Sequence, residues 1–222
     1  MKFDTKTLTV LKNFSSINPS ILFKAGKTIR TVSPTKSILA IANIDQEFQK
    51  EFAIFDVPRL LGTMSLFDNP EIEFQDSSLK IKNAEKELVY RYAAPAAIIA
   101  PPDKTLSLPT EDINFKMTAA NLAELQKAAG ALSMPEIAVV GEDNKLYLQA
   151  TDSRNFDGDS YRICVGETDK RFRAVFKAEN IKVIPQDYDV SISSSYISRF
   201  TGKSVVDIVY WIALEKNATS FS

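Results

Sequence analysis

The clearest periodic pattern lies near the start of the 222-residue chain, where Leu8, Leu11 and Phe14 recur every third position. Val10 lies on the adjoining flank, and Asp4 precedes the pattern as a residue that can cap a helix. The pattern predicts a helix with one buried face. Its opposite face on a helical wheel carries no carboxylate and presents Lys6, Thr9, Lys12, Asn13 and Ser16.

Runs rich in β-branched and aromatic residues, separated by turn residues, follow this helix. They predict strands at residues 20–24, 27–32, 37–43 and 51–55. Asp56 and Pro58 then open a second helix that ends near Phe67, because proline is tolerated in the first helical turn behind an aspartate cap. Further strands are predicted at residues 71–75, 78–83 and 87–92.

The second half of the chain repeats this order of elements. A short strand at residues 113–117 precedes a helix capped by Thr118, as a short strand at residues 1–3 precedes the first helix. The apolar stripe of this helix consists of Leu122, Leu125, Ala129 and Leu132. Strands are then predicted at 136–140, 145–150, 160–165 and 171–177, a short helix at 178–183, and strands at 188–193, 196–201 and 205–214. The repeated order predicts two domains of similar fold.

Residues 93–112 separate the two halves and are punctuated by prolines. Because proline fits neither a helix interior nor a central strand, this stretch is predicted to be an extended crossing segment. The predicted domains are residues 1–93 and 112–222, joined by a linker of residues 94–111.

Composition removes several classes of chemistry. The chain is 45% hydrophobic and 25% charged, a balance typical of a folded globular protein. It contains no histidine, so Ser-His-Asp or Cys-His catalysis and histidine metal ligation are excluded, and Cys164 alone cannot hold zinc. We therefore expect no catalytic residue, no metal ion and no cofactor. No stretch approaches the roughly 18 consecutive apolar residues of a spanning helix, and no secretory signal is evident, so an intracellular location is expected.

Three segments resemble ligand loops without completing the motif. Residues 26–28 and 202–204 both read GK[ST], but the earlier glycine of a phosphate loop is replaced by Ile21 and Ile197. Both segments are therefore predicted to be tight turns between strands. The acidic segment 151–161, with Asp152, Asp157 and Asp159, lacks the alternating ligands of a calcium loop and is predicted to be a solvated loop.

Basic residues on the helices admit two interpretations. The net charge of −1 argues against a protein that coats nucleic acid with its whole surface. Lys127 lies opposite the apolar stripe of its helix, among small residues but near Glu124. The shorter helices add Arg59, Lys177 and Lys182. These side chains either contact a phosphate backbone or form an ordinary solvated face, and the pattern alone favours the solvated face.

Four segments carry a family resemblance: residues 11–18 (LKNFSSIN), 54–56 with 60–66 (IFD and LLGTMSL), 98–101 (IIAP) and 210–215 (YWIALE). In this order they resemble the T-even-type bacteriophage sliding clamps, which are similar in fold to proliferating cell nuclear antigen. The resemblance implies an α+β subunit with two similar DNA-clamp domains, three subunits per ring, helices lining the ring and antiparallel sheets outside. The prolines at 58 and 135, the loop near Asp157 and the tail 219–222 look particular to this sequence.

The resemblance also implies a function. A clamp of this family encircles double-stranded DNA without reading its sequence and tethers the replicative DNA polymerase, so no enzymatic activity is expected. Its implied partners are the C-terminal peptide of the polymerase, an ATP-driven clamp loader and late-transcription factors, in the cytoplasm of a host cell. The alternatives are a two-domain β-rich virion or interaction protein, and a hydrolase that uses carboxylates.

Three sets of site residues follow from these expectations. The predicted DNA-facing residues are Lys6, Lys12, Arg59, Lys127, Lys177 and Lys182. A groove for the partner peptide is predicted from Ile98, Ile99, Leu106, Leu108, Tyr188, Val190, Ile212 and Leu214. A joint between subunits is predicted to pair the strand Glu87, Leu88, Val89, Tyr90, Arg91, Tyr92 of one copy with Ser160, Tyr161, Arg162, Ile163, Cys164, Val165 of the next.

Overall fold

The computed structural model describes residues 1–104, 106–155 and 157–221. Thr105 of the predicted linker, Phe156 of the acidic segment and Ser222 of the tail lie outside the described residues. The chain divides into two compact units. The first comprises Met1–Asp103 with Val206–Ile208, and the second comprises Lys104–Val205 with the described residues from Val209 onward. The predicted bounds of the domains and linker stay a prediction.

The first unit contains two helices and three groups of strands. The helices are α1 (Thr5–Ile17) and α2 (Val57–Met64), and the strands are β1 (Ile21–Phe23), β2 (Gly26–Val32), β3 (Ile38–Phe48), β4 (Phe52–Ile54), β5 (Glu71–Phe74), β6 (Ser78–Lys82) and β7 (Glu87–Arg91). Antiparallel pairing joins β1 with β4, β2 with β3, and β5, β6 and β7 in that order.

Aspartate caps begin both helices of this unit. Asp4 accepts a hydrogen bond from the Thr7 amide at 2.6 Å, and Asp56 accepts one from the Arg59 amide at 2.8 Å. The buried residues of α1 are Thr7, Val10, Leu11, Phe14 and Ile17. The predicted buried face is therefore centred on Val10, Leu11 and Phe14, whereas Leu8 lies at its half-buried margin.

The second unit has one long helix and two antiparallel sheets. Thr118 caps α3 (Ala119–Ala131) through the Asn121 amide. The strands are β8 (Ile113–Met117), β9 (Glu136–Glu142), β10 (Lys145–Thr151), β11 (Tyr161–Glu167), β12 (Phe172–Lys177), β13 (Tyr188–Ser193), β14 (Ile197–Gly202), β15 (Asp207–Ala213) and β16 (Ser220–Phe221). One sheet has the order β11-β10-β9-β12-β16, and β13 lies between β14 and β8.

The stripe of α3 packs on the sheet that contains β10 and β11. Leu122, Leu125 and Ala129 of this stripe are buried, but Leu132, the C-cap residue, is 37% exposed. The prediction was wrong for Leu132 because the helix ends before it.

Several other predicted elements differ from the structure. Residues 178–183 form only a 3₁₀ turn, Ala178–Asn180, because Ile181, Val183 and Ile184 are all buried and do not share one helical face. Residues 1–3 are not a regular strand, although the Met1 nitrogen and oxygen both bond the backbone of Ile72. Residues 26–28 begin β2 rather than forming a turn, and Gly26 has a φ of 111°.

No helix among the described residues has the length and apolar character needed to cross a membrane.

Candidate functional site

The exposed face of α1 carries two lysines in different electrostatic settings. Lys6 Nζ donates a hydrogen bond to Asp45 Oδ2 at 2.6 Å, and this contact raises the lysine pKa. Asp4 and Asp207 add smaller contributions in the same direction. Lys12 lies two turns further along the helix and is exposed. The basic face expected from the sequence is therefore partly neutralised at its N-terminal end.

Lys127 is exposed on α3, as expected of a residue opposite the buried stripe. Arg59 is exposed on α2, but it lines a cleft between α2 and β7 rather than standing on an isolated helix face. Within the described residues, neither side chain forms an ion pair. Both cations are therefore available to a partner.

Lys177 and Lys182 do not lie on a helix, contrary to the prediction. Lys177 is the last residue of β12, and its ammonium lies 4.0 Å from Glu215. Lys182 follows the 3₁₀ turn and is exposed. The backbone amide of Ala178 donates to the Pro135 carbonyl, which fixes the turn against the start of β9.

The two strands predicted to join subunits are both edges of their sheets. Strand β7 ends the order β5-β6-β7, and β11 ends the order that runs to β16. Every second residue of β7 is half-buried and the others are exposed, and β11 alternates in the same way over Tyr161–Val165. An edge strand of this kind presents unpaired backbone groups to any strand that approaches.

The half-buried side chains of both edges lie on the helix side of their sheets. Tyr90 Oη donates to the Asp56 carbonyl at 2.8 Å, which places Tyr90 against the start of α2. On β11, the Tyr161 hydroxyl donates to Glu124 of α3. Alternation puts Leu88 and Tyr92 beside Tyr90, and Ile163 and Val165 beside Tyr161.

A cleft lies between α2 and β7 at this edge. Residues 88–93 form its strand side, and Phe55, Asp56, Arg59 and Thr63 form its helix side. Phe55 is 63% exposed and Val89 is 46% exposed. The predicted site residues included the strand but not Phe55, although Phe55 precedes a helix cap and belongs to the segment 54–56 of the family resemblance.

The eight residues of the predicted peptide groove do not share one environment. Tyr188, Val190, Ile212 and Leu214 are at most 5% exposed. They belong to the core of the second unit, where Tyr188 Oη donates to the Ile184 carbonyl at 2.5 Å. Their alternation reflects the inner face of a sheet, so they cannot serve as an open wall.

The linker residues of the same prediction are more accessible. Ile98 is buried, but Ile99 is 51% exposed, and Leu106 and Leu108 are half-buried. Asp103 fastens the first part of the linker to the first unit through Lys24, at 2.6 Å, and this ion pair lowers the Asp103 pKa. Of the eight residues, Ile99, Leu106 and Leu108 are therefore the accessible ones, and the strand residues are not.

Among the described residues, no group of three or more His, Cys, Asp or Glu side chains is arranged to hold a metal ion.

Burial raises the pKa of Tyr188 to about 12 and raises that of Tyr210 further, so both phenols are structural core groups.

Two family profiles cover most of the chain. The family described as "DNA polymerase processivity factor" matches residues 2–100, and "gp45 sliding clamp, C terminal" matches residues 114–216. The sliding clamp of Vibrio phage KVP40 is 34% identical, over 97% of this chain and 99% of its own. The sliding clamps of Escherichia phage RB69 and Enterobacteria phage T4 are 28% and 26% identical, each over 99% of both chains.

Solved structures show the same fold at low identity. Proliferating cellular nuclear antigen from Entamoeba histolytica aligns with a TM-score of 0.70 and 15% identity, over 93% of this chain and 94% of its own. A. fulgidus PCNA, solved with the C-terminal region of FEN-1, aligns with a TM-score of 0.67 and 20% identity over the same shares. The fold predicted from the sequence, two similar α+β clamp domains with antiparallel sheets, is confirmed. The chain belongs to the T4-type phage sliding clamps, and it is a DNA polymerase processivity factor.

Proposed function

We propose that three copies of this protein form a closed ring around double-stranded DNA and hold the replicative polymerase on its template without catalysing a reaction. The observation that carries the proposal is the pair of free sheet edges, β7 in one unit and β11 in the other. Because the two edges differ, the contact between copies is heterologous, and a heterologous contact closes into a ring when its rotation allows.

The side chains of the two edges support this joint. Pairing β7 of one copy with β11 of the next satisfies the backbone groups that each edge leaves open. It also brings together the half-buried side chains of the two edges. These are Leu88, Tyr90 and Tyr92 on one copy and Tyr161, Ile163 and Val165 on the next. Burying these side chains supplies the hydrophobic contribution that a stable joint needs.

The proposed DNA contacts are few. Lys12 and Lys127 are exposed on the long helices, and Lys6 is held by Asp45. The proposed DNA-facing set also includes three residues that do not lie on the long helices α1 and α3: Arg59, Lys177 and Lys182. Each phosphate contact raises the energy barrier that a protein must cross to slide from one position on DNA to the next. Few contacts therefore suit a protein that is kept on DNA by encircling it.

The proposed partners attach by short apolar segments. Leu106 and Leu108 are the half-buried apolar residues of the crossing segment, and the A. fulgidus relative was solved with a C-terminal region of its partner. We propose that the C-terminal peptide of the polymerase binds at these leucines and that an ATP-driven loader competes for the same face. Late-transcription factors are proposed as further clients, in the cytoplasm of the infected host.

Light scattering on the purified protein at micromolar concentration tests the assembly. The proposal predicts the mass of three chains. A single chain at every concentration, or a stable pair of chains, contradicts it.

A further inference from the structure

The cleft beside β7 carries a cation that the first unit does not neutralise. Arg59 lies in the first turn of α2, between Phe55 and Thr63 on the helix side of the cleft. Burial raises the pKa of Tyr90, which lies on the strand side; the charge of Asp56 raises it further, and the charge of Arg59 opposes that shift. In the described part of the chain the guanidinium has no carboxylate within ion-pair distance. The Arg59 guanidinium therefore shares the cleft with the exposed Phe55 and with Asp56.

The other edge carries an anion in the equivalent place. Glu124 lies on the flank of α3 that meets β11, where it accepts the hydroxyl hydrogen bond of Tyr161. No ion pair to Glu124 occurs among the residues that the structure describes. Ala120, Ala128 and Ala131 on that flank leave room for a second helix to approach closely, and the exposed Lys127 lies one turn from Glu124.

Each edge therefore has a helix beside its strand, and these helices carry side chains of opposite charge, Arg59 on α2 and Glu124 on α3. When two such edges form one continuous sheet, their helices lie on the same side and meet across the joint.

We propose that Arg59 of one copy pairs with Glu124 of the next, and that this ion pair selects the correct joint between subunits. The proposal rests on the ring of three copies described above and adds the residues that determine its pairing. It removes Arg59 from the DNA-facing set. Tyr161 acts as a positioning residue, because its hydroxyl fixes the Glu124 carboxylate before the partner arrives.

Paired charges at an interface contribute to specificity by penalising wrong matches. If the first units of two copies paired with each other, Arg59 would face Arg59. If the second units of two copies paired, Glu124 would face Glu124. Both wrong pairings bring like charges together, whereas the heterologous joint does not. The pair therefore favours the ring over symmetric dimers.

Charge reversal provides the test. Arg59→Glu and Glu124→Arg are each expected to raise the concentration at which the trimer dissociates by about tenfold or more, and the double variant is expected to return it to within about threefold of the wild type. Arg171→Glu, a reversal of another exposed charge, is the matched control. Thermal unfolding of each variant establishes that the subunits remain folded.

The outcomes separate this proposal from the ring itself. A trimeric wild type whose single reversals dissociate no more readily than the control contradicts the Arg59–Glu124 pair and leaves the ring in place. The Arg59–Glu124 pair is also contradicted if the losses of trimer stability in the two single variants add up in the double variant. An unchanged trimer with weaker, less salt-dependent DNA binding in Arg59→Ala assigns Arg59 to DNA instead. A wild type that is monomeric at all concentrations contradicts the proposed function.

Discussion

Lys6 Nζ lies 2.6 Å from Asp45 Oδ2 and joins the first turn of α1 to strand β3. Lys6, the first lysine of the predicted basic face, therefore already forms an ion pair with a carboxylate of its own subunit. We propose that a phosphate approaching Lys6 competes with Asp45, which would keep a DNA contact at this lysine weak.

Asp45→Asn is expected to strengthen DNA association. Removing the carboxylate frees the ammonium for phosphate, so the logarithm of the binding constant should fall more steeply with salt, by up to about one unit of slope. Fluorescence anisotropy with duplex DNA at several salt concentrations measures the slope. An unchanged slope with a weaker affinity contradicts the competition.

Lys12→Ala and Lys127→Ala are each expected to weaken DNA association slightly and without sequence preference. Each loss should reduce the salt slope by about one unit, because each lysine releases the counterion of one phosphate. Lys145→Ala, at the start of β10, is the control. If the double variant Lys12→Ala, Lys127→Ala keeps the wild-type slope and processivity, these lysines form only a solvated face.

The tyrosine core predicts a loss of stability at high pH. Burial raises the pKa of Tyr188 to about 12, so the folded protein keeps a proton that the unfolded chain loses near pH 10. The contribution of this tyrosine is complete below about pH 10 and is lost as the pH rises through about 12. Urea unfolding at pH 8 to 11 measures the decline.

Tyr188→Phe should make that decline shallower, although its stability at pH 8 should be lower. The Tyr188 hydroxyl hydrogen bond to the Ile184 carbonyl is lost, at a cost of about 1–3 kcal/mol for a buried acceptor left unpaired. A pH dependence identical to that of the wild type contradicts the assignment.

Leu108→Glu is expected to abolish polymerase stimulation while the trimer remains intact. Leu108 is half-buried, so a charge there reaches solvent but blocks an apolar peptide. Leu214→Glu, at a buried position, should instead destabilise the subunit itself. A fluorescent polymerase tail peptide that binds the folded Leu108→Glu trimer with wild-type affinity shows that the peptide binds elsewhere.

Periodicity predicted the long helices because each buries one face and begins at a side-chain cap, as Asp4 and Thr118 show. Periodicity wrongly predicted a helix at residues 178–183, because the buried side chains there belong to a 3₁₀ turn and an irregular loop. It also misassigned Tyr188 and Ile212, because alternation identifies one face of a strand without telling whether that face is covered.

The site was predictable only where its signal is local. The joint between β7 and β11 was predicted from the repeated order of elements and the heterologous contact that a ring needs; the structure shows both strands to be sheet edges, and the joint itself stays a prediction. The contact of Lys6 with Asp45 spans 39 positions, and that of Tyr161 with Glu124 spans 37. Such pairs depend on how the chain folds back, so no short sequence pattern reports them.

The proposed closed ring would be held on DNA by topology rather than by tight contacts. The most direct measurement follows the loaded protein on nicked circular DNA by gel filtration, after loading with the clamp loader of a related phage and ATP. The protein is expected to stay with the circle at high salt and to be released when one restriction cut linearises it. Equal retention on circular and linear DNA, or release from the circle by salt alone, would contradict a closed ring.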